Sequence, residues 1–144
     1  TQFIPTSFAC IKGKGMHRSA FCVQKYMKKA KQRWGSYYII KTDVAKYFNS
    51  IDKKILLEIL ERKIKDPKLI WLIKEILYAQ KRAKGIEIGN YTSQIFANIY
   101  LNEVDQYVKH ELKVKYYVRY LDDSILIVQT KQEAKQVLQL FVSF

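Results

Sequence analysis

Two adjacent carboxylates, Asp122 and Asp123, sit inside the stretch YYVRYLDDSILIV, Tyr116 to Val128. Aromatic and β-branched residues run up to them, and the apolar run Ile125 to Val128 leaves them. Both flanks read as strands, which places the aspartates in a hairpin at the rim of a packed sheet. A turn tolerates aspartate because its side chain bonds nearby amides, and for a lone Asp-Asp pair that is the ordinary reading. The apolar flanks weigh against it here. Two like charges so close repel each other. A divalent cation relieves that repulsion, and hard carboxylate oxygens suit magnesium.

A third carboxylate interrupts another strand-like run. Asp43 lies in SYYIIKTDVAKYF, among Tyr, Ile and Val, where a charge is costly unless it is paired or bound to metal. A salt bridge to Lys41 or Lys46, or a strand end in water, would explain it equally well. Phe48 follows five residues later, close to the same strand end. Between the two carboxylate sites lies GIEIGNYTSQIFANIYLNEVD, residues 85–105. Gly89 permits close approach of a ligand or another backbone. Thr92 or Ser93 can cap a helix whose N-terminus favours anions. An ordinary loop-to-helix junction would look the same. Order adds weight: a strand carboxylate, a helix with a glycine entry, then a hairpin with two carboxylates. If the two strands are neighbours in one sheet, the three carboxylates converge. Converged carboxylates can hold two magnesium ions, the arrangement that clamps both oxygens of a phosphoryl transfer.

At these residues the chain resembles a reverse transcriptase. Tyr120-Leu121-Asp122-Asp123 is similar to the family's Y-x-D-D box, and DVAKYF, Asp43 to Phe48, to its first catalytic motif. GNYTSQIFANIYLNEVD resembles the motif between them, and FACIKGKGMHRSA the segment ahead of the first. Group II intron and retron enzymes usually enter the middle motif with P-Q-G. The form here, Ile88-Gly89-Asn90-Tyr91-Thr92-Ser93-Gln94, most resembles the enzymes of diversity-generating retroelements. Those copy a template RNA with frequent errors at adenines. Leu121 departs from the methionine more common there, a swap that keeps an apolar side chain of similar size.

The resemblance implies RNA-templated DNA synthesis with two magnesium ions, which manganese can replace. Asp43 and Asp122 would bridge the ions, and Asp123 would support them. Phe48 would sit under the incoming sugar and exclude a 2′-hydroxyl. Ile88 and Gly89 would line the nascent base pair, Ser93 and Gln94 would begin the helix beneath the template, and Tyr120 would pack near the primer end. The implied partners are an RNA template, a DNA or RNA primer, deoxynucleoside triphosphates and a small basic accessory protein. The implied fold is the α+β polymerase palm: an antiparallel sheet with helices packed on one face, plus a remnant of the fingers over residues 1–35 and the palm over residues 36–144. Upstream fingers and the thumb would lie outside this stretch. Two rivals are an RNA-templated RNA polymerase, which Phe48 opposes, and a nucleic-acid-binding palm fragment that is inactive without its fingers and thumb.

Composition is consistent with a polyanionic partner. The 144 residues suit one compact domain, 49% of them are hydrophobic, and the net charge is +13. Cys10 and Cys22 lack metal-ligand spacing and read as free thiols of a reducing, cytoplasmic compartment. No apolar run approaches a membrane span, no signal peptide is visible, and the N-terminus looks cut from a longer chain.

Several elements must position these residues. A helix is expected from about His17 to Trp34, with Lys25, Lys28 and Lys29 on its basic side available to phosphates. SYYIIKTDVAKYF is expected as a strand. Ser50 or Asp52 caps the helix KKILLEILERKI, and Asp66-Pro67 starts LIWLIKEILYAQ, expected to be largely buried. A loop or short strand over residues 81–92 precedes a helix reaching about Leu112, and Thr130 with Glu133 makes a capping box for the last helix.

Overall fold

A computed structural model describes residues 3–144. In chain order the elements are α1 (Met16–Trp34), β1 (Tyr38–Thr42), α2 (Tyr47–Ser50), α3 (Lys53–Lys63), α4 (Pro67–Tyr78), α5 (Tyr91–Gln106), a π-helical turn (Tyr107–Glu111), β2 (Tyr116–Tyr120), β3 (Asp123–Val128) and α6 (Lys131–Ser143). They fall into two units, one made of residues up to Val44 together with Leu101–Phe144, the other of Ala45–Tyr100.

The first unit is built on an antiparallel sheet of order β1-β3-β2. Tyr120 pairs with Asp123 at the hairpin, and Thr42 pairs with Ser124 on the other side of β3. Strand alternation sends neighbouring residues to opposite faces. Ile40, Tyr117, Leu126 and Val128 form one core with Val108 and with Val137 of α6. Tyr116 and Ile127 form the other with Ala30 of α1, ringed by Tyr26, Met27 and Trp34. The Tyr116 ring lies 5.1 Å from that of Tyr26 and 5.4 Å from that of Trp34. Helices therefore cover both faces of the sheet, not one face as the sequence led us to expect. The reason is visible in β2, where Tyr116, Tyr117, Val118 and Arg119 are all buried, so both of its faces need a cover.

β1 ends at Thr42 instead of running through to Phe48. Lys46 turns left-handed at φ 52°, and Tyr47 opens a helical turn. Within the second unit the Tyr47 hydroxyl donates to the Ala97 carbonyl at 2.6 Å, and its ring is buried. Drawing that side chain inward takes the backbone out of the extended conformation.

Local signals set the helices of the second unit. The Asp52 carboxylate accepts from the amides of Lys54 and Ile55 at 3.0 and 3.3 Å, and that of Asp66 accepts from Lys68 at 2.9 Å. Each such cap contributes about 0.5–2 kcal/mol. At the start of α5 it is the Asn90 side chain that accepts from the Ser93 amide, at 2.7 Å. The expected capping residues, Thr92 and Ser93, lie inside the first turn. α4 also departs from expectation. Only Ile73 and Leu77 of α4 are buried, while Leu69, Trp71, Leu72, Ile76 and Tyr78 are exposed. Its apolar residues circle the helix, and a single i, i+4 stripe meets a neighbour.

Candidate active site

The turn between β2 and β3 consists of Leu121 and Asp122, closing on the Tyr120–Asp123 pair. Leu121 has φ 53°, at the first central position, where a two-residue hairpin usually places glycine. A β-carbon in this region costs roughly 1–2 kcal/mol, so the surroundings must hold the turn.

Asp43 lies one residue beyond Thr42, whose partner Ser124 is two residues past Asp122. The carboxyls of Asp122 and Asp43 are close enough to share a hydrogen bond. Burial pushes the Asp122 carboxyl up, the charges of Asp43 and Asp123 push it further, and a bond from its own amide offsets part of this. Asp123 points elsewhere. It is exposed and 3.6 Å from the Lys41 ammonium, an ion pair too open to water to contribute much.

Two of the three expected carboxylates therefore meet, and the third flanks them. Among the described residues no group of three or more His, Cys, Asp or Glu side chains gathers as a metal-holding cluster. The structure brings Asp43 and Asp122 together and leaves Asp123 beside them, near enough for its charge to act on Asp122. Strand alternation explains it, since Asp122 belongs to the turn while Asp123 already belongs to β3 and aligns with the α1 side. The pair itself fits a hard divalent cation. Two carboxylates this close repel each other, and a cation held by oxygen donors of both relieves that repulsion.

Tyr120 is half-buried in the wall of an open hollow of about 480 Å³, together with Val118, Asp123 and Ile125 of the hairpin and with Ala20 and Val23 of α1. Lys25, Lys28 and Lys29 are exposed along α1. The remaining candidates belong to the second unit. Phe48 is half-buried, edge-on to Tyr47 at 5.7 Å, and its carbonyl accepts from the Ile86 amide at 2.9 Å. Gly85 makes this stitch possible, because at φ 87° a β-carbon there would stand 3.2 Å from the Asn49 carbonyl oxygen. Ile88 and Gly89 lie on the exposed loop that follows, with Ile88 72% exposed. Ser93 is buried and Gln94 half-buried in the first turn of α5.

One cluster escaped the sequence reading. Arg119 and Asp105 are fully buried and form a bidentate pair, with Nε and Nη2 donating to the two carboxylate oxygens at 2.7 Å each. The Tyr117 hydroxyl donates to the same carboxylate at 2.7 Å. Arginine amid the aromatic strand YYVRY was the available signal, since a buried guanidinium requires a carboxylate partner.

Over residues 1–144 the sequence matches the family described as "Reverse transcriptase (RNA-dependent DNA polymerase)". The group II intron-encoded protein LtrA of Lactococcus lactis subsp. cremoris is 33% identical over 90 residues, which are 57% of this chain and 15% of that protein. An uncharacterized mitochondrial protein, ymf11, of Marchantia polymorpha is 29% identical over 108 residues, 75% of this chain and 14% of that protein. This chain thus spans 14–15% of the length of these curated relatives. Apo telomerase from Candida tropicalis superposes with a TM-score of 0.72 at 16% identity, covering 96% of this chain and 32% of that one. At that identity the likeness speaks for a shared fold, which agrees with the expected α+β palm.

Proposed function

This chain belongs to the reverse transcriptase family, and on that footing we propose that it carries the palm of an enzyme that copies RNA into DNA. The observation that carries this reading is the Asp43–Asp122 carboxyl pair at the end of the sheet, within a sequence matched to the family along residues 1–144. The primer 3′-hydroxyl attacks the α-phosphate of a deoxynucleotide and pyrophosphate leaves. Magnesium, when bound, neutralises charge developing on the attacking and leaving oxygens. Asp43 and Asp122 would hold the metal through their carboxylate oxygens, and Asp123 flanks them, balanced by Lys41. Phe48 bars the 2′-hydroxyl. Ile88 and Gly89 line the nascent pair, Ser93 and Gln94 support the template, and Tyr120 packs near the primer end. The lysines of α1 hold phosphates without reading bases.

The partners in this reading are an RNA template, a primer, deoxynucleoside triphosphates and a small basic accessory protein, in the reducing cytoplasm. No helix among the described residues is long and apolar enough to cross a membrane. The segment Ile88 to Gln94 favours error-prone copying in a diversity-generating retroelement. A group II intron enzyme is the second reading, favoured by the identity to LtrA.

Extension of a primer on a defined RNA template by the full-length enzyme tests the proposal. Asp43→Ala and Asp122→Ala should each lower the rate by roughly 10²–10³-fold or more, the scale of losing one charge-stabilising group. Because Asp43 is exposed and its charge repels that of Asp122, its variant should melt no lower than the parent. Undiminished extension by either variant would end the polymerase reading of this pair.

A further inference from the structure

We propose that Arg119 and Asp105 are positioning residues that hold the Leu121–Asp122 turn in its left-handed form and thereby aim Asp122 at Asp43. The inference rests on the reading of Asp122 as a catalytic carboxylate. Arg119 Nη1 donates to the Leu121 carbonyl at 3.0 Å. The peptide that it grips joins the residue at φ 53° to Asp122 itself. The other face of the guanidinium is engaged by Asp105, and Nη2 also reaches the Ser7 hydroxyl at 3.1 Å. The planar fork thus has no freedom to swing.

The backbone of Arg119 is fixed as well. Its amide donates to the Thr6 carbonyl and its carbonyl accepts from the Phe8 amide, each at 3.0 Å. Asp105 is held in turn by the Tyr117 hydroxyl, which burial and the Asp105 charge keep protonated and therefore a donor. Three separate pieces of chain, the segment Thr6–Phe8, the end of α5 and β2, thus converge on one guanidinium whose remaining arm ends on the turn. Every N–H of a buried guanidinium needs an acceptor, and Nη1 has one in the carbonyl of the turn. Hydrophobic residues of similar volume commonly replace buried ion pairs without loss.

Lysine at 119 keeps a charge for Asp105 but cannot span both the carboxylate and the Leu121 carbonyl. In the complete enzyme we would compare Arg119→Lys and Asp105→Asn with the parent, using Asp43→Ala as a control. Two measurements apply: hydrogen–deuterium exchange of the peptide covering residues 120–124, and Mn²⁺ affinity by electron paramagnetic resonance. Exchange at the turn should quicken about tenfold while β1 stays protected. Mn²⁺ should bind about ten- to hundredfold more weakly, the range seen when a ligand's supporting partner is lost. Melting curves show whether each variant is folded. If Arg119→Lys fails to fold, Asp105→Asn carries the comparison, because it leaves the Leu121 contact in place and frees only the clamp. Exchange that rises equally over the whole sheet, or Mn²⁺ affinity unchanged in a folded variant, would overturn the positioning role. Failure of the parent to bind Mn²⁺ more tightly than Asp43→Ala would instead strike at the catalytic reading, and the exchange data would still judge Arg119.

Discussion

The Asp122 carboxyl, in the hairpin turn, lies close beside that of Asp43, just past the end of β1, and burial together with the charges of Asp43 and Asp123 raises its affinity for protons. A raised carboxyl affinity for protons in the folded state has a definite sign in stability. The folded chain holds the proton more tightly than the unfolded chain. The contribution of Asp122 is therefore full at low pH and is lost as pH climbs from its ordinary value of 3.8 through the raised one. Near neutrality and without metal, ionised Asp122 works against folding. Asp122→Asn should then raise the melting temperature by about 2–4 °C at neutral pH. The gain should shrink on acidification, and it should shrink again when Mg²⁺ is added to both proteins. Thermal melts at several pH values, with and without Mg²⁺, check this, and an equal gain at every pH would contradict it.

Phe48 gives a second expectation. Its ring is half-buried beside Tyr47, and its carbonyl is tied to the Ile86 amide. The backbone bond survives truncation of the ring, so Phe48→Ala should leave the local chain path intact. In the full-length enzyme that substitution should raise use of ribonucleotides relative to deoxynucleotides by about tenfold or more, the scale of a contact worth 1.4 kcal/mol. Competition between the two sugars on one template measures it. Unchanged discrimination would return Phe48 to the core.

How far the sequence revealed this arrangement depends on the range of each interaction. The caps at Asp52, Asp66 and Thr130 were legible because donor and acceptor lie within three residues of each other. The carboxylate pair was legible because motif order implied neighbouring strands. The length of β1 was not, since it ends where Tyr47 answers to Ala97, 50 residues away. The second cover of the sheet was hidden for a similar reason. The pattern of α1 announces an apolar face but not which side of a sheet will receive it. Arg119 shows the boundary best. Its position in YYVRY demanded a carboxylate, but nothing local could choose Asp105 among the other acids.

The lysines of α1 lead to a third expectation. Lys25, Lys28 and Lys29 are exposed, and the +13 net charge leaves them without enough acids to balance them. Each phosphate contact contributes about 0.9 to the slope of log affinity against log salt on a duplex. Replacing all three by glutamine should lower that slope by up to about 2–3 for an RNA–DNA duplex if every lysine makes a contact. Fluorescence anisotropy across a salt series gives the slope directly. A slope equal to the parent's would mean that these side chains are only solvated.

Ile88 yields the last expectation, and it bears on which kind of reverse transcriptase this is. The side chain is 72% exposed, whereas Ile86, two residues earlier, is 7% exposed. Packing accounts for Ile86 and leaves Ile88 unexplained. Relatives with P-Q-G at this junction carry a glutamine where Ile88 stands, next to Gly89, and a glutamine can hydrogen-bond near the incoming nucleotide. Isoleucine makes no such bond. A hydrogen bond contributes about 0.5–1.5 kcal/mol net, and 1.36 kcal/mol is tenfold in rate, so its loss can narrow selectivity by up to about tenfold. In the full-length enzyme Ile88→Gln should lower misincorporation, most visibly opposite template adenine, while correct insertion stays within about tenfold of the parent's. The high exposure means that the substitution disturbs no core and should leave the melting temperature unchanged. Error spectra of both proteins on one RNA template, read by deep sequencing, decide the matter. Identical spectra would remove the fidelity role and favour the group II intron reading, and the carboxylate pair would stand as before.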